Sequence, residues 1–362
     1  MRVLVTGAEG FVGKWVVKEL VRAGHEVIKG ELTSSNSNED FEVFDVRDLE
    51  STRSVVDRAR PDAVIHLAGQ ASPARSWTDP FETFQINASG TASLMEALRH
   101  KPSTRVLVVG SSHEYGLSSS DAPVREDCPL DPKSPYGVSK AAAEMIARAY
   151  QTGFGVHTVC SRSFNHTGPG QSPEYAVGSF CSQLVSIERG LQPPKMRVGS
   201  LEPVRDFLDV RDVASAYRLL IEEGAAGEVY NVCSGEGTSI GDLLKALLDL
   251  AELKSPVEIV ESPDGPADGP AVLVGDNSKI KNLGWKAAIP IDRSLADTLD
   301  WFRSQGGSGG VAAPQGSDSE RQGLRSPRDN QGGSGGVAAP QGSDSERQGL
   351  RSPRDNQGGS GG

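Results

Sequence analysis

Short apolar runs in the first 165 residues alternate with longer amphipathic stretches. The apolar runs are of strand length and stand at Met1–Thr6, Glu26–Lys29, Phe41–Phe44, Ala63–Leu67, Arg105–Val109 and Val156–Cys160. The stretches between them have the polar and apolar spacing of helices. Strands that alternate with helices at this interval predict βαβ units and a parallel sheet.

The sequence after Thr167 is less regular. Helical patterns recur near Phe180–Arg189, Val213–Glu223 and Gly241–Leu250. We expect them to form a smaller lobe over the carboxyl ends of the strands, where open α/β sheets bind their ligands. The predicted organisation is a nucleotide-binding domain over 1–165 with parts of 205–235, and a substrate lobe over the remainder of 166–303.

Residues from Gly306 onward have a different composition. A GGSGG segment precedes two identical 26-residue repeats, at 311–336 and 337–362. The repeats have few apolar residues to bury, so 304–362 is predicted to be a disordered tail. Identical polar repeats joined by glycine and serine indicate an appended segment or a recent duplication.

A glycine-rich segment directly follows the first predicted strand. Gly7, Gly10 and Gly13 precede an amphipathic stretch over Lys14–Arg22. Glycines at such spacing permit a tight strand-to-helix turn, and a pyrophosphate can then lie against the helix N-terminus. The strand before the segment and the helix after it favour a dinucleotide site, although the spacing is GxxGxxG and not GxGxxG.

Tyr136 and Lys140 are four residues apart in the run SPYGVSK (134–140). The next ten residues favour helix, so both side chains are expected on one helical face. A free tyrosine has a pKa of about 10. A nearby ammonium favours the phenolate and is expected to lower that pKa toward the range useful for proton transfer.

Overall composition indicates a cytoplasmic enzyme without a membrane span. The apolar runs are too short to cross a bilayer, and the N-terminus lacks the pattern of a signal peptide. The formal charge of −11 disfavours nucleic-acid binding. Cysteines without CxxC or metal spacing are expected to be reduced structural thiols, with no metal site: Cys128, Cys160, Cys181 and Cys233.

Further motifs make the chain resemble the extended short-chain dehydrogenase/reductase family that modifies nucleotide sugars. These motifs are TGAEGFVG (6–13), HLAGQ (66–70), INASGT (86–91), SSHEYG (111–116), SPYGVSK (134–140), SFNHTGPGQ (163–171) and RDFLDVRDV (205–213). The resemblance covers nearly all of 1–303 and implies a Rossmann-type doubly wound parallel sheet with a smaller mixed α/β lobe. Several segments are most similar to GDP-4-keto-6-deoxy-mannose reductases, which implies a GDP-sugar substrate and a homodimer that uses the Tyr/Lys helix and the helix over Ser89–His100.

The resemblance assigns catalytic roles to Ser111, Tyr136 and Lys140. Tyr136 would act as the acid or base at the C4 oxygen of the sugar, and Ser111 would hydrogen-bond the same oxygen. Lys140 would lower the pKa of Tyr136 and hold the nicotinamide ribose. The chemistry implied is NAD(P)H-dependent reduction of a C4 ketone in GDP-4-keto-6-deoxy-mannose, giving GDP-rhamnose.

His113 bears on the choice among related reactions. Related 4,6-dehydratases carry a glutamate base at this position, and here Glu114 falls one residue later. Neighbouring residues of an extended segment point to opposite sides, so Glu114 is not expected to replace that base. A reductase is favoured, a 4-epimerase and less strongly a dehydratase stay open, and a non-catalytic dinucleotide sensor is the non-enzyme alternative.

Glu31 ends the second predicted strand, where a carboxylate can accept hydrogen bonds from the adenine ribose. Its charge disfavours a 2′-phosphate, so NAD(H) is the favoured cofactor and NADP(H) a possible one. Further cofactor contacts are implied by the resemblance at Gly7, Gly10, Phe11, Val12, Gly13, Asp45, Val46, Leu67, Ala68, Gly69 and Asn87.

Substrate contacts are implied at several positions: Ser112, His113, Glu114, Asn165, Val177 and Arg205. Asn165 would contact the sugar or its diphosphate, and Arg205 offers a guanidinium fork for phosphate oxygens. Two departures weaken the assignment of GDP: the run PDGPAD (263–268) lacks a preceding arginine, and Ser200 stands where relatives favour asparagine.

Overall fold

The structure of the protein, a computed structural model, describes residues 1–33, 41–116, 123–262 and 272–305. Its strands are β1 (Arg2–Thr6), β2 (Glu26–Glu31), β3 (Phe41–Val43), β4 (Ala63–His66), β5 (Arg105–Ser111), β6 (His157–Ser163), β7 (Asn165–Thr167), β8 (Lys195–Val198), β9 (Val204–Asp209), β10 (Val229–Val232), β11 (Gly237–Ser239), β12 (Glu258–Glu261) and β13 (Val272–Leu273).

The α-helices of the same residues are α1 (Phe11–Arg22), α2 (Leu49–Ala59), α3 (Pro73–Thr78), α4 (Pro80–Phe84), α5 (Gly90–Leu98), α6 (Pro135–Phe154), α7 (Ala176–Glu188), α8 (Val210–Glu223), α9 (Ile240–Leu250), α10 (Ser278–Lys281) and α11 (Ile291–Gln305). A π-helical segment, Gln85–Ser89, continues directly into α5. A short 3₁₀ turn, Ser112–Glu114, follows β5.

Seven parallel strands form the main sheet in the order β10-β6-β5-β4-β1-β2-β3. The chain moves outward from β1 to β2 and β3, and then returns to place β4 on the other side of β1. The order therefore reverses between β1 and β4, and a crevice at such a switch point is where open α/β sheets bind ligands.

Alternating side chains of the central strands bury the two faces of the sheet separately. Val3 and Val5 of β1 pack with α1 and α8 in one core. Leu4, between them, packs with α2, α5 and α6 in the other. Because both faces carry helices, the central strands are apolar on both sides, as their sequence indicates.

Smaller sheets and three helices make up the second lobe. β9 pairs antiparallel with β11 and parallel with β13 and β7, and β12 pairs parallel with β8. Helices α7, α9 and α11 share a separate apolar core beside these strands. The arrangement confirms the expected α/β fold, a Rossmann-type doubly wound parallel sheet with a smaller mixed lobe.

Each of the six strands expected before residue 165 is present in the main sheet, with bounds shifted by a few residues. The seventh strand, β10, was not predicted from the sequence. Its run VYNV is only four residues long and gains its strand partner, β6, from a distant part of the chain. The expected domain boundaries stay a prediction, and the repeated tail lies outside the described residues.

Candidate active site

A cavity of about 390 Å³ opens at the switch point, beside the carboxyl ends of β1, β2 and β4. Seven of the residues expected to bind a cofactor contribute to its walls: Gly7, Gly10, Glu31, Asp45, Val46, Ala68 and Gly69. Other expected contacts are not part of these walls: Phe11, Val12, Gly13, Leu67 and Asn87.

The glycine-rich segment leaves no space for side chains between β1 and α1. Gly7 has φ +72°, and a Cβ there would lie 2.9 Å from the Ala68 nitrogen. A Cβ on Gly13 would lie only 2.1 Å from the Gly7 carbonyl oxygen. The turn therefore brings bare backbone and the α1 N-terminus to the cavity, an arrangement that fits the pyrophosphate of a dinucleotide. Gly13 itself lets α1 pack closely against the loop that contains Gly7.

Gly13→Ala is expected to destabilise the fold by about 1–3 kcal/mol, because the new methyl group meets backbone that must shift. Dinucleotide affinity should fall with it. Gly153→Ala is the matched control, since it lies in α6 with open space around its Cα. Thermal unfolding and dinucleotide titration compare the two variants, and equal behaviour would contradict the role given to Gly13.

Glu31 joins the glycine-rich segment to the end of β2. Its half-buried carboxylate accepts a hydrogen bond from the backbone N–H of Glu9. Burial raises the pKa of Glu31, and the hydrogen bond from Glu9 opposes that rise. The carboxylate thus stands at the wall of the cavity beside the helix N-terminus, where the sequence predicted a ribose contact.

Arg47 is a residue of this cavity that the sequence reasoning missed. Its guanidinium donates to the Asp45 carboxylate at 2.6–2.9 Å. These hydrogen bonds hold the pKa of Asp45 below its usual range. Arg75 lines the cavity as well, paired with Glu82. Both arginines are distant from β2 in sequence, so inspection of the residues after Glu31 could not reveal this positive charge.

Asn87 supports the loop after β4 from behind. Its amide accepts from the Gln70 N–H at 2.8 Å and donates to the Gln70 carbonyl and to Ser139 Oγ at 3.0 and 2.9 Å. Asn87 is 2% exposed. Its hydrogen-bonding groups face Gln70 and Ser139, and the expected direct contact with the cofactor stays a prediction.

Phe11 and Val12 also serve packing between elements. The Phe11 ring stacks on His166 with centroids 6.2 Å apart, and Trp15 Nε1 donates to the Pro169 carbonyl at 3.0 Å. Val12 packs against the core on the α1 and α8 side of the sheet. The first turns of α1 are thereby attached to the loop after β7, which begins the substrate lobe.

Ser111, Tyr136 and Lys140 come together beside the cavity. Ser111 ends β5, and Tyr136 and Lys140 lie in the first turns of α6. Ser134 caps that helix by accepting from the Gly137 N–H at 3.1 Å, and Pro135 occupies its first turn. The Ser111 side chain is hydrogen-bonded to the Tyr136 phenol.

Lys140 reaches from α6 to the cavity wall. Its Nζ donates to the Val109 carbonyl at 2.9 Å. A Cβ on Gly69 would lie 3.6 Å from the same Nζ, so the ammonium is adjacent to a residue of the cavity. The fold thus places the Tyr136 phenol beside the Ser111 hydroxyl and the Lys140 ammonium at the cavity wall.

Burial changes the proton affinities of the pair in a way the sequence did not predict. Burial raises the pKa of Tyr136, while the hydrogen bond with Ser111 opposes the rise. Burial lowers the pKa of Lys140 to about 8, with the Glu114 carboxylate opposing that change. The net pKa of Tyr136 is therefore raised, because desolvation of the phenolate is the larger effect, and the lowering of this pKa by Lys140 stays a prediction.

Residues 112–114 form a 3₁₀ turn and not the extended segment that we expected. Ser111 Oγ accepts from the His113 N–H at 3.2 Å, and Glu114 Oε1 accepts from the Ser111 N–H at 2.7 Å, which closes a capping box. Ser112 and Glu114 are 1% and 0% exposed. Both side chains are buried in the protein, and their expected contact with substrate stays a prediction. His113 is half-buried and its ring packs edge-on against Tyr136 with centroids 5.5 Å apart.

The expected substrate residues of the second lobe do not all face open space. Asn165 in β7 is half-buried and pairs with Phe207 of β9. Arg205 is the second residue of β9, and its Nη1 donates to the Val204 carbonyl at 2.9 Å. Val177 is 1% exposed within the apolar core of α7, α9 and α11. Val177 thus contributes to core packing, and its expected contact with substrate stays a prediction.

The described residues contain no group of three or more His, Cys, Asp or Glu side chains placed to hold a metal ion. Among these same residues, no helix combines the length and the apolar character needed to cross a membrane. All four cysteines are unpaired, and burial raises the pKa of Cys160, Cys181 and Cys233.

Comparison with known proteins identifies the family. Residues 4–298 match the GDP-mannose 4,6 dehydratase family. GDP-6-deoxy-D-mannose reductase of Pseudomonas aeruginosa is 36% identical over 305 residues, which are 83% of this chain and 97% of that protein.

Solved structures give the same result. RMD from Pseudomonas aeruginosa complexed with NADPH superimposes with a TM-score of 0.74 at 34% identity, covering 84% of this chain and 100% of that one. UDP-glucose 4-epimerase of Thermus thermophilus with NAD has a TM-score of 0.74 at 30% identity, covering 84% and 99%. The chain therefore belongs to the GDP-mannose 4,6 dehydratase family of extended short-chain dehydrogenases/reductases, which are NAD(P)-dependent oxidoreductases.

Proposed function

We propose that this protein reduces the C4 ketone of a GDP-4-keto-6-deoxy-hexose, converting GDP-4-keto-6-deoxy-mannose to GDP-rhamnose. The observation that carries the proposal is the trio Ser111, Tyr136 and Lys140 beside the cavity, with His113 at the position of the dehydratase base. The similarity to GDP-6-deoxy-D-mannose reductase supports the same substrate.

The burial of Glu114 favours reduction over dehydration. A dehydratase needs a base that removes a proton from the sugar, and the carboxylate nearest to that position in sequence is turned into the protein, where it accepts from the Ser111 N–H. Reduction of a ketone requires no such base. It requires a proton donor at the carbonyl oxygen, which the Tyr136 phenol provides.

Side chains of the protein carry out the proton transfer in this reaction. A bound reduced nicotinamide would supply the hydride to C4. Ser111 Oγ hydrogen-bonds the C4 oxygen and aligns it with the Tyr136 phenol, which donates the proton that completes the alcohol. Lys140, charged below pH of about 8, stabilises the phenolate that remains. Tyr136 then regains its proton from water.

The second lobe holds the rest of the substrate in this proposal. Arg205 stands at the start of β9 and presents a guanidinium, which suits diphosphate oxygens. Asn165, two residues before the end of β7, lies in the strand paired to β9 and would contact the sugar. The proposed GDP specificity rests on the similarity to GDP-6-deoxy-D-mannose reductase and not on any single contact.

A 4-epimerase is the second candidate. UDP-glucose 4-epimerase from Thermus thermophilus superimposes as well as RMD does, with a TM-score of 0.74 for each. Epimerisation uses the same hydroxyl, phenol and ammonium, so the geometry of the trio does not separate the two reactions. A dehydratase is disfavoured by Glu114, and a dinucleotide sensor is disfavoured by the complete trio.

Oxidation of NADH and of NADPH, followed at 340 nm with GDP-4-keto-6-deoxy-mannose generated in place, tests the proposal. The reductase predicts a loss of absorbance that depends on substrate. Glu31 at the end of β2 favours NADH, whereas Arg47 and the NADPH complex of RMD support NADPH use. No oxidation with either cofactor, together with interconversion of UDP- or GDP-sugars, would replace the reductase by the epimerase.

We also propose a homodimer formed through α5 and α6, as the resemblance implies. Val138 and Met145, two turns apart on one face of α6, are 40% and 59% exposed and would be covered by such an interface. Met145→Glu is expected to give a monomer by analytical ultracentrifugation. Val21→Glu changes an equally exposed residue on α1, on the other side of the sheet, and should leave the dimer intact. A dimer that persists in Met145→Glu contradicts this interface.

A further inference from the structure

A cluster of buried charged side chains lies directly behind the catalytic trio. Glu114, Glu144 and Arg162 are each no more than 2% exposed. Arg162 donates from Nε and Nη2 to the two oxygens of Glu144, both at 2.8 Å. Glu114 Oε2 is 3.9 Å from the Arg162 Nε, too far for a hydrogen bond. The guanidinium is thus hydrogen-bonded to one carboxylate, while a second carboxylate forms only a longer ion pair with it.

The unpaired oxygen indicates a bound proton. Glu114 Oε2 is buried and has no donor among the described residues. The carboxyl group of Glu144 is within hydrogen-bonding reach of Glu114. Two ionised carboxylates at such a distance repel each other. A proton bound to Glu114 removes this repulsion and can be shared with Glu144 in a hydrogen bond. With one bound proton, the two carboxyl groups and the guanidinium together carry no net charge.

Other charged and titratable groups approach the cluster from each neighbouring element. Arg148 of α6 reaches Glu144 from the surface at 3.5 Å, and the Tyr115 ring lies 4.8 Å beneath the Arg162 guanidinium. Electrostatic interactions connect Glu114 to three further groups outside the cluster, which are Lys140, Tyr136 and Cys160. Glu126 accepts from Arg162 Nη1 through its backbone carbonyl at 3.0 Å.

The cluster is built into the elements that carry the trio. Tyr136, Lys140 and Glu144 follow each other at intervals of four residues and share one face of α6. Arg162 of β6 is in register with Gly110, the residue before Ser111. A Cβ on Gly110 would lie 2.3 Å from Glu114 Oε1, so only glycine lets that carboxyl group reach the Ser111 N–H.

We propose that Glu114 is a positioning residue that stores a proton behind the catalytic trio. Its protonated carboxyl group holds the Ser111 backbone and donates to Glu144, and its ionisation places a negative charge behind Tyr136 and Lys140. The storage of the proton follows from the cluster alone. Its kinetic consequence rests on the proposed C4 reduction.

The direction of the kinetic effect follows from the charges of Glu114, Tyr136 and Lys140. Burial and then Glu144 raise the pKa of Glu114 to about 8, against the opposing effects of Ser111 and Arg162. Above that pH the new negative charge favours the protonated forms of both Tyr136 and Lys140. Ionised Glu114 therefore extends to higher pH the range in which the acid and the ammonium keep their protons.

Infrared difference spectra of the full chain test the stored proton without any assay of turnover. Between about pH 6.5 and pH 9.5 the wild type should lose one protonated-carboxyl band, a range that lies above the pKa of ordinary carboxyl groups. Glu114→Gln should lack this band, and its amide can accept from the Ser111 N–H and donate to Glu144, so the fold should be retained. Glu144→Gln should lack it too, because Glu114 then pairs with Arg162 and ionises. Glu50→Gln, at an exposed position, should keep it.

The pH dependence of C4 reduction tests the kinetic consequence. Glu114→Gln should keep kcat within about threefold of the wild type near neutral pH, and its alkaline limb should move to lower pH. A band that survives in Glu114→Gln overturns the stored proton. A normal band with an unmoved limb overturns the kinetic link. If neither protein reduces the ketone, the proposed function fails while the infrared result still decides the proton.

Discussion

Tyr136→Phe is expected to lower kcat for C4 reduction by about 10²–10⁴-fold, the usual contribution of a positioned proton donor. The variant loses one hydroxyl group whose partner is the Ser111 side chain. The Tyr136 ring is 8% exposed and packs against His113, and both properties are kept by phenylalanine. The fold and the affinity for the dinucleotide should therefore change little, and the loss should appear in kcat.

Tyr150→Phe is the matched control for this result. Tyr150 lies on the same helix, and its hydroxyl donates to Glu96 Oε2 at 2.8 Å, away from the cavity. It should retain nearly full activity. Single-turnover kinetics with the GDP-sugar compare the variants, and dinucleotide titration confirms their binding. A Tyr136→Phe enzyme with more than about a tenth of wild-type kcat would assign the proton to another group.

Lys140→Met is expected to lower kcat by about 10²-fold or more, because it removes the charge that stabilises the Tyr136 phenolate. In the wild type the same charge is lost as the pH rises through about 8, since burial lowers the pKa of Lys140. Reduction by the wild type should therefore decline above that pH. Methionine has a similar length and polarity to the lysine stem, so the packing of α6 should persist.

Two measurements distinguish the loss of the Lys140 charge from a general loss of structure. Lys133→Met removes an exposed lysine paired with Asp131 just before α6, and should leave both kcat and the pH profile unchanged. In Lys140→Met the remaining activity should lose its decline near pH 8, because the group that titrates there is gone. A pH profile that keeps this limb in Lys140→Met would assign it to a different residue.

Much of the fold could be read from local pattern. The apolar runs of β1 to β6 are separated by helical stretches, and such runs are buried on both faces because helices cover a parallel sheet on both sides. Gly7 and Gly13 could be identified as well, because a tight turn between strand and helix excludes a Cβ there. The pairing of Tyr136 with Lys140 follows from helical geometry over four residues.

Contacts between distant segments could not be read in this way. Arg47 enters the cavity from the loop after β3, and Arg162 meets Glu144 across eighteen residues. Glu114 was expected to lie on an extended segment, yet a 3₁₀ turn directs it into the protein. Each outcome depends on which strands are neighbours in the sheet. The neighbours of β6 are β5, which precedes it in the chain, and β10, which follows it.

The sequence by itself determined six strands of the main sheet and the glycine-rich turn, because these depend on spacing within a few residues, and the resemblance to a family supplied the proposed roles of Ser111, Tyr136 and Lys140. Only the tertiary structure decided the proton affinities of that trio. The pKa of Tyr136 depends on how completely its phenol is removed from water, and that of Lys140 on burial and on Glu114. Desolvation is set by every segment packed around a group, so it exists only once the chain has folded.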